Sequence, residues 1–308
     1  MTTETASTQT AVVRLSGGRE QEAGLSLMQL ALRRIRRARV TLVAMSVLLL
    51  LVVLSLLAPL ISGYILHVDP NLTDTSQQLL PVGTAGHPLG TDNVGRDQLA
   101  RLLFAGQVSL GIAGAAALLS LGVGMTLGVI AGYYGGIVDD LVVWVVTTLN
   151  SIPGIFLLLI VSSLFQPGPV TLILVLGIFS WTLTTRLVRG ETFSIREQDY
   201  VLSARALGAS DWRIMFAHII PNVISIMIIN LTITVGNLIL IESALSFLGI
   251  GIQPPTPSWG NMLSRAQSFF STGPHLVVFP GLLIVITVLC LYVIGDGLRD
   301  AFDPNLVD

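Results

Sequence analysis

Long stretches free of charged residues restrict this chain more than any other feature of its sequence. No charge occurs between Arg39 and Asp69, between Arg101 and Asp139, between Asp140 and Arg186, or between Arg265 and Asp296. An apolar segment of about 20 residues satisfies its backbone in hydrocarbon as a helix, so each interval calls for one or two membrane crossings. Thr41–Ser62 fits a first crossing and Ala105–Tyr133 a second. The interval from Asp140 to Arg186 is too long for one crossing, and the turn signal Gln166-Pro167-Gly168-Pro169 divides it into a third and a fourth. A fifth starts after Pro221 and reaches Leu248, and a sixth occupies Leu276–Ile294. The expectation is an all-α polytopic membrane protein with six transmembrane helices.

Composition narrows what such a bundle can do. Of 308 residues only 11% are charged, against roughly a quarter in soluble domains. All 16 basic residues are Arg, and the absence of Lys removes both a Walker A nucleotide loop and Schiff-base chemistry. The single Cys290 and the four scattered His supply no metal-ligand spacing. The expectation is a non-enzyme with no catalytic, metal or cofactor-binding residues, whose surroundings are the lipid bilayer rather than a nucleic acid.

Orientation follows from the arginines, which favour cytoplasmic flanks. Taking the N-terminus as inside puts 13 of the 16 on the inner side and leaves Arg96, Arg101 and Arg265 outside. Both termini are therefore expected in the cytoplasm. Residues 1–40 read as a cytoplasmic tail with a basic flank, 41–62 as the first span and 63–104 as an extracytoplasmic loop. Residues 105–298 form the permeation core, with a cytoplasmic loop at 189–221, and 299–308 the inner C-terminus. The tail before residue 27 is polar and without periodicity, the signature of disorder. Arg33 to Arg39 before an uncleaved apolar stretch read as a retained signal anchor.

Within the spans, Gly124, Gly128, Gly132 and Gly136 recur every four residues, a device for close helix packing inside one bundle. Gly111 and Gly114 are further small residues of that helix. Glu242 is the ionisable residue well inside a span, read as a structural pairing with water or a nearby Arg ahead of a substrate contact. Asn150 and Asn237 are polar positions that either line a pathway or bond between helices.

The loop 189–221 reads as two short helices. Asp199 is placed to cap Tyr200–Leu207, Gly208 to end it in the left-handed conformation, and Ser210 to cap Asp211–Ile219 before Pro221 opens the fifth span. Tyr200, Ala204 and Leu207 share one face and Arg205 points elsewhere. Ala204 and Ala206 keep the helix slim.

That arrangement resembles the loop of ABC-importer permeases with the pattern E-A-A, three residues, G, nine residues, I-x-L-P. Here the triplet is Leu202-Ser203-Ala204, the glycine Gly208, and the close His218-Ile219-Ile220-Pro221. Leu202 stands where the family has Glu. Three further runs resemble the C-type subunit of dipeptide, oligopeptide and nickel importers: His87-Pro88-Leu89-Gly90-Thr91-Asp92-Asn93-Val94-Gly95-Arg96-Asp97, Pro254 to Leu263, and Gly295 to Asp300 with Asp303-Pro304.

The resemblance implies the type I ABC-importer permease architecture. It implies a second homologous permease subunit, two cytoplasmic ATPase subunits (or one fused double ATPase) and an extracytoplasmic solute-binding protein. ATP would be used by the partner subunits. The ATPase-coupling residues would be Tyr200, Ala204, Arg205, Ala206, Leu207, Gly208, Asp211 and Pro221. The cargo implied is a di- or oligopeptide, with nickel, glutathione or another small solute as the alternative. A secondary carrier is disfavoured because the chain lacks repeated halves.

Overall fold

The computed structural model describes residues 27–165, 168–264 and 266–302, and among these no strand forms. The expected tail before residue 27, Arg265, the pair Gln166-Pro167 and the closing Asp303-Pro304 lie outside the described residues. Helix α1 covers Leu27–Arg37 and α2 Arg39–Leu56, the first span. A loop with one 3-10 turn at Thr75–Gln77 then leads to α3, Gln98–Tyr134. Next come α4, Gly136–Asn150; α5, Gly154–Leu164; α6, Pro169–Arg196; and α7, Asp199–Ala206. The rest is α8, Asp211–Phe247; α9, Trp259–Met262; α10, Ala266–Phe269; and α11, His275–Phe302.

Five helices, α2, α3, α6, α8 and α11, are long and apolar enough to cross a membrane, and the pair α4/α5 makes up to six. The third expected crossing is therefore not a straight helix: α4 and α5 meet at a bend of 83°. Pro153 explains the break, since proline disfavours the helical conformation in the residue before it and cannot donate to the preceding turn.

Charge-free stretches also understate the helices. α3 runs 37 residues, about 55 Å at the helical rise, and starts at Gln98 rather than Ala105. Asp97 caps it by accepting from the Ala100 amide at 2.7 Å. Gly135, at φ +65, ends it. α6 continues past Arg186 to Arg196, so residues 189–196 are helix and not loop. Its charges find partners beyond the apolar layer: Arg189 clamps Asp139 of α4 with both arms of its guanidinium, and Arg196 donates to the Gly132 carbonyl at 2.8 Å. A helix whose terminal charges are satisfied by its neighbours has no reason to stop at the bilayer edge.

The glycine stripe packs α3 on α6, the most extensive helix pair in the fold. A Cβ at Gly124, Gly128 or Gly132 would sit 2.6 Å from the Cβ of Thr184, Val188 or Thr192 in turn. Those partners recur at the same spacing of four, so two small-residue ridges mesh along both helices. Gly136 breaks the series, with open space around it, as do Gly111 and Gly114.

Candidate functional site

The two ends of this bundle carry different chemistry, and the α7 end is the candidate site. α7 starts at Asp199, with Gln198 as a cap that makes no side-chain bond. Asp199 is thus the first helical residue rather than the cap, where its carboxylate still meets the positive end of the helix. Gly208 follows the helix at φ +83 with nothing around it, and Ser210 caps the next turn by accepting from the Arg213 amide. The expected break at Pro221 is absent. Asp211 to Phe247 is one helix, widened to π pitch over Met215–Ile219. A proline ring crowds the carbonyl four residues back, and the wider turn just before it makes room.

Val201 fastens α7 to the bundle. It is fully buried among Ile214, Met215, Ile219 and Val223 of α8, Val129 and Tyr133 of α3, and Val188 of α6. The Tyr133 hydroxyl donates to the Asp211 carboxylate at 2.7 Å, and the Arg205 guanidinium lies 5.4 Å from the Tyr133 ring centre. Arg205 thus lies over the Tyr133 ring while remaining exposed. Phe193 is sandwiched by Arg189 and Arg196 at 4.7 and 4.6 Å. Together these contacts tie α7 to the ends of α3 and α6 and to the start of α8.

The other face of the same unit is bare. Leu207 is 89% exposed, and Trp212 and Phe216, stacked with ring centres 5.8 Å apart, are 63% and 62% exposed. Tyr200 and Leu202 are half exposed, Ala206 is exposed and Ala204 partly so. Of the sequence-derived residues, Tyr200, Ala204, Ala206, Leu207 and Gly208 lie on or beside this face; Arg205 and Asp211 serve the mount, and Pro221 lies within α8. Trp212, Phe216 and Tyr133 escaped the sequence reading. The signal for the first two was two aromatic residues four apart just past a capped turn.

At the opposite, α9 end, polar groups are buried and most are matched, the Ser243 hydroxyl and the Gln98 amide nitrogen excepted. Glu242 has no exposure and, among the described residues, no Arg partner; its carboxylate accepts from Ser109 at 3.0 Å and from Ser246 at 2.7 Å. Serines of α3 and α8, which the sequence reading did not name, are its partners among the described residues. Each of these hydroxyls also accepts a backbone amide, Trp259 to Ser109 and Ile252 to Ser246. The segment 251–262 is thereby pinned on the bundle, with the Trp259 indole donating to the Leu102 carbonyl at 3.1 Å. A Cβ on Gly260 would lie 2.5 Å from the Ser243 Cα.

The run His87 to Asp97 folds into a cap beside it. Asp92 accepts from the Arg96 side chain at 2.7 Å, and the Arg101 guanidinium lies 3.7 Å from it. Asp97 faces His87 at 2.9 Å, and Gly95 passes so close to the Asp74 backbone that a side chain could not fit. Asp74 itself sits in solvent, its carboxyl held below the ordinary aspartate value chiefly by the Ser76 hydroxyl and then by the Ser76 amide.

Of the remaining polar positions, Asn150 accepts from Thr182 at 3.2 Å and lines a cavity of about 500 Å³ at the α4/α5 bend, with Phe179, Ser180, Leu240 and Ala244. Asn237 lies elsewhere, accepting from the Tyr292 hydroxyl at 2.7 Å. Glu242 does not reach the cavity, so the three are not one site.

The family model for the binding-protein-dependent transport system inner membrane component matches residues 124–308, and that for the N-terminal membrane domain of oligopeptide transport permease C matches residues 26–81. The glutathione transport system permease protein GsiD of Pectobacterium atrosepticum is 37% identical over 89% of this chain and 90% of its own length. The dipeptide transport system permease protein DppC of Haemophilus influenzae is 36% identical over 88% and 92%. The oligopeptide transport system permease protein OppC of Mycobacterium bovis is 38% identical over 89% and 94%. With most of its length covered at this identity, and with the expected helical membrane bundle in place, the chain belongs to the family of binding-protein-dependent transport system inner membrane components.

Proposed function

We propose that this chain is the permease subunit of an ATP-driven importer that carries di- or oligopeptides across the plasma membrane. The observation that carries the reading is α7: a short helix with a bare apolar face, set on a mount shared by three membrane helices. Two cytoplasmic ATPase subunits would supply the energy, one of them docking on Leu207, Trp212 and Phe216. This chain, lacking lysine, has no Walker A loop of its own. A second homologous permease completes the pathway, and a solute-binding protein delivers cargo to the capped α9 end, which faces outward. Both termini are cytoplasmic on this reading, in keeping with the arginine distribution.

Coupling follows from the mount. ATP state and access state must bias one two-state element; α7 is joined to α8 by two contacts that leave little slack, buried Val201 and the capped turn at Ser210, and α8 is tied to α3 by the Tyr133–Asp211 bond. Movement of the ATPase surface against α7 would reach α8 through a helix unbroken by Pro221 and α3 through Tyr133. Leu202, in place of the family's carboxylate, leaves shape and apolar contact to hold the helix.

Peptide cargo is supported by the relatives named for dipeptide and oligopeptide transport and by the amide of Asn150 and hydroxyl of Ser180 on an otherwise apolar cavity wall. Glutathione is the second reading, favoured by the relative named for it. The test is ATP-dependent uptake into proteoliposomes holding the whole importer. Labelled dipeptide and oligopeptide should enter, and Gly208→Asp should abolish uptake while ATP hydrolysis persists. Uptake of glutathione alone would select the second reading, and uptake driven by a proton gradient without ATP would refute the importer.

A further inference from the structure

α1 is a helix in its own right, separated from the first span by Ala38, whose backbone (φ −77, ψ 86) leaves the helical region. It packs on α11, with Ala31 buried and Ile35 partly so. Arg33, Arg36 and Arg37 recur three and four residues apart, share the opposite face, and are followed by Arg39. All four are exposed, and none takes part in an ion pair among the described residues. Asp296 and Asp300 at the end of α11 are exposed as well and do not pair with them. Leu32 and Val40, 50% and 72% exposed, stand among these arginines.

Water suits the arginines but not the two apolar side chains, and hydrocarbon suits the reverse. Only the boundary between headgroups and acyl chains suits both, the setting of interfacial amphipathic helices. The charge pattern supports that depth. Arg39 is the first residue of α2 and no charged residue follows it before Asp69, so the apolar run starts there and Arg39 lies at the boundary. A general excess of inner arginines accounts for their side of the membrane. It does not account for three of them gathered on one face of a separate helix.

We propose that Arg33, Arg36, Arg37 and Arg39 form a binding surface for the headgroup phosphates of anionic phospholipids in the leaflet beside α7. Guanidinium groups suit phosphate because their planar fork donates two parallel bonds, while Leu32 and Val40 enter the acyl region beneath. α1 would then rest the end of α11 on the membrane surface next to the coupling unit.

The test uses the full chain reconstituted in mixed bilayers, with electron spin resonance of spin-labelled phosphatidylglycerol and phosphatidylcholine reporting which lipid it holds. Wild type should select the anionic lipid. The R33Q/R36Q/R37Q variant should lose about tenfold or more of that preference, since each surface arginine contributes about fivefold. Conversion of the same three to Lys should keep most of it. Where the Gln variant does not insert, wild type still decides: its selectivity should collapse as salt rises from about 0.1 M to about 1 M and screening shortens to about 3 Å. Free inorganic phosphate should displace no lipid. Equal selectivity in the Gln variant and wild type, salt-independent selectivity, or displacement by free phosphate would each overturn the proposal.

Discussion

The α9 end and the α7 end solve opposite problems with the same helices. At the α9 end a carboxylate, two serines and two backbone amides are buried and matched, Ser109 and Ser246 each donating once to Glu242 and accepting once from an amide. At the α7 end a tryptophan, a phenylalanine and a leucine stand in the open on a firmly anchored frame. A buried polar network specifies one geometry because a partial match is costly. An exposed apolar patch contributes little to its own chain and becomes meaningful when another surface covers it. One end therefore reads as self-sufficient, the other as half of an interface.

That contrast breaks first at Glu242. Replacing it by Ala strands two buried hydroxyls and unpins 251–262, and should lower stability by about 2–4 kcal/mol, seen as earlier thermal unfolding in detergent. Glu242→Gln, which keeps an acceptor, should lose clearly less; equal losses would mean that the carboxylate does not organise this end. At the other end, Trp212→Ala should shift the melting temperature little yet weaken ATPase capture by about 2 kcal/mol, roughly 30-fold, measured by binding of purified ATPase to the reconstituted permease. A loss of stability with unchanged capture would reverse the assignment.

Smaller effects sharpen the same comparison. Tyr133→Phe removes one hydrogen bond from the mount, at about 1 kcal/mol. It should lower uptake per ATP hydrolysed while ATPase binding stays, because the dock is untouched and only the link to α3 is loosened. The smallest expected effect is acid sensitivity in the cap. Asp74 has a folded value below its unfolded one, so its contribution is present above about pH 4 and fades as pH falls through the lowered value. Asp74→Asn or Ser76→Ala should flatten that acid limb slightly in a pH series of thermal unfolding.

Much of this was legible in the order of residues. Charge-free stretches located the first, second, fourth and sixth expected crossings, the spacing of Gly124, Gly128 and Gly132 announced close packing, and Gly208 with Ser210 marked the turn between α7 and α8. The departures share a cause. The start of α3 and the end of α6 extend beyond the charge-free stretches because Arg101 is buried on its neighbours and Arg189 and Arg196 pair across helices. The 83° bend at Pro153 lies inside the expected third crossing, and Pro221 reads as an opening because a local reading cannot see the π turn that absorbs it. Nothing near Arg205 along the chain foretells its place beside Tyr133.

Membrane insertion, helix count and the capped turn are decided by sums over about 20 neighbouring residues or by single local conformations, so the sequence determined them alone. Which groups meet was decided by the tertiary structure. Ser109 and Glu242, or Tyr133 and Asp211, are far apart along the chain and become partners only when α3 and α8 pack. The energy of a buried polar group depends on that pairing, and so does the difference between an end that is closed and one that waits for a partner.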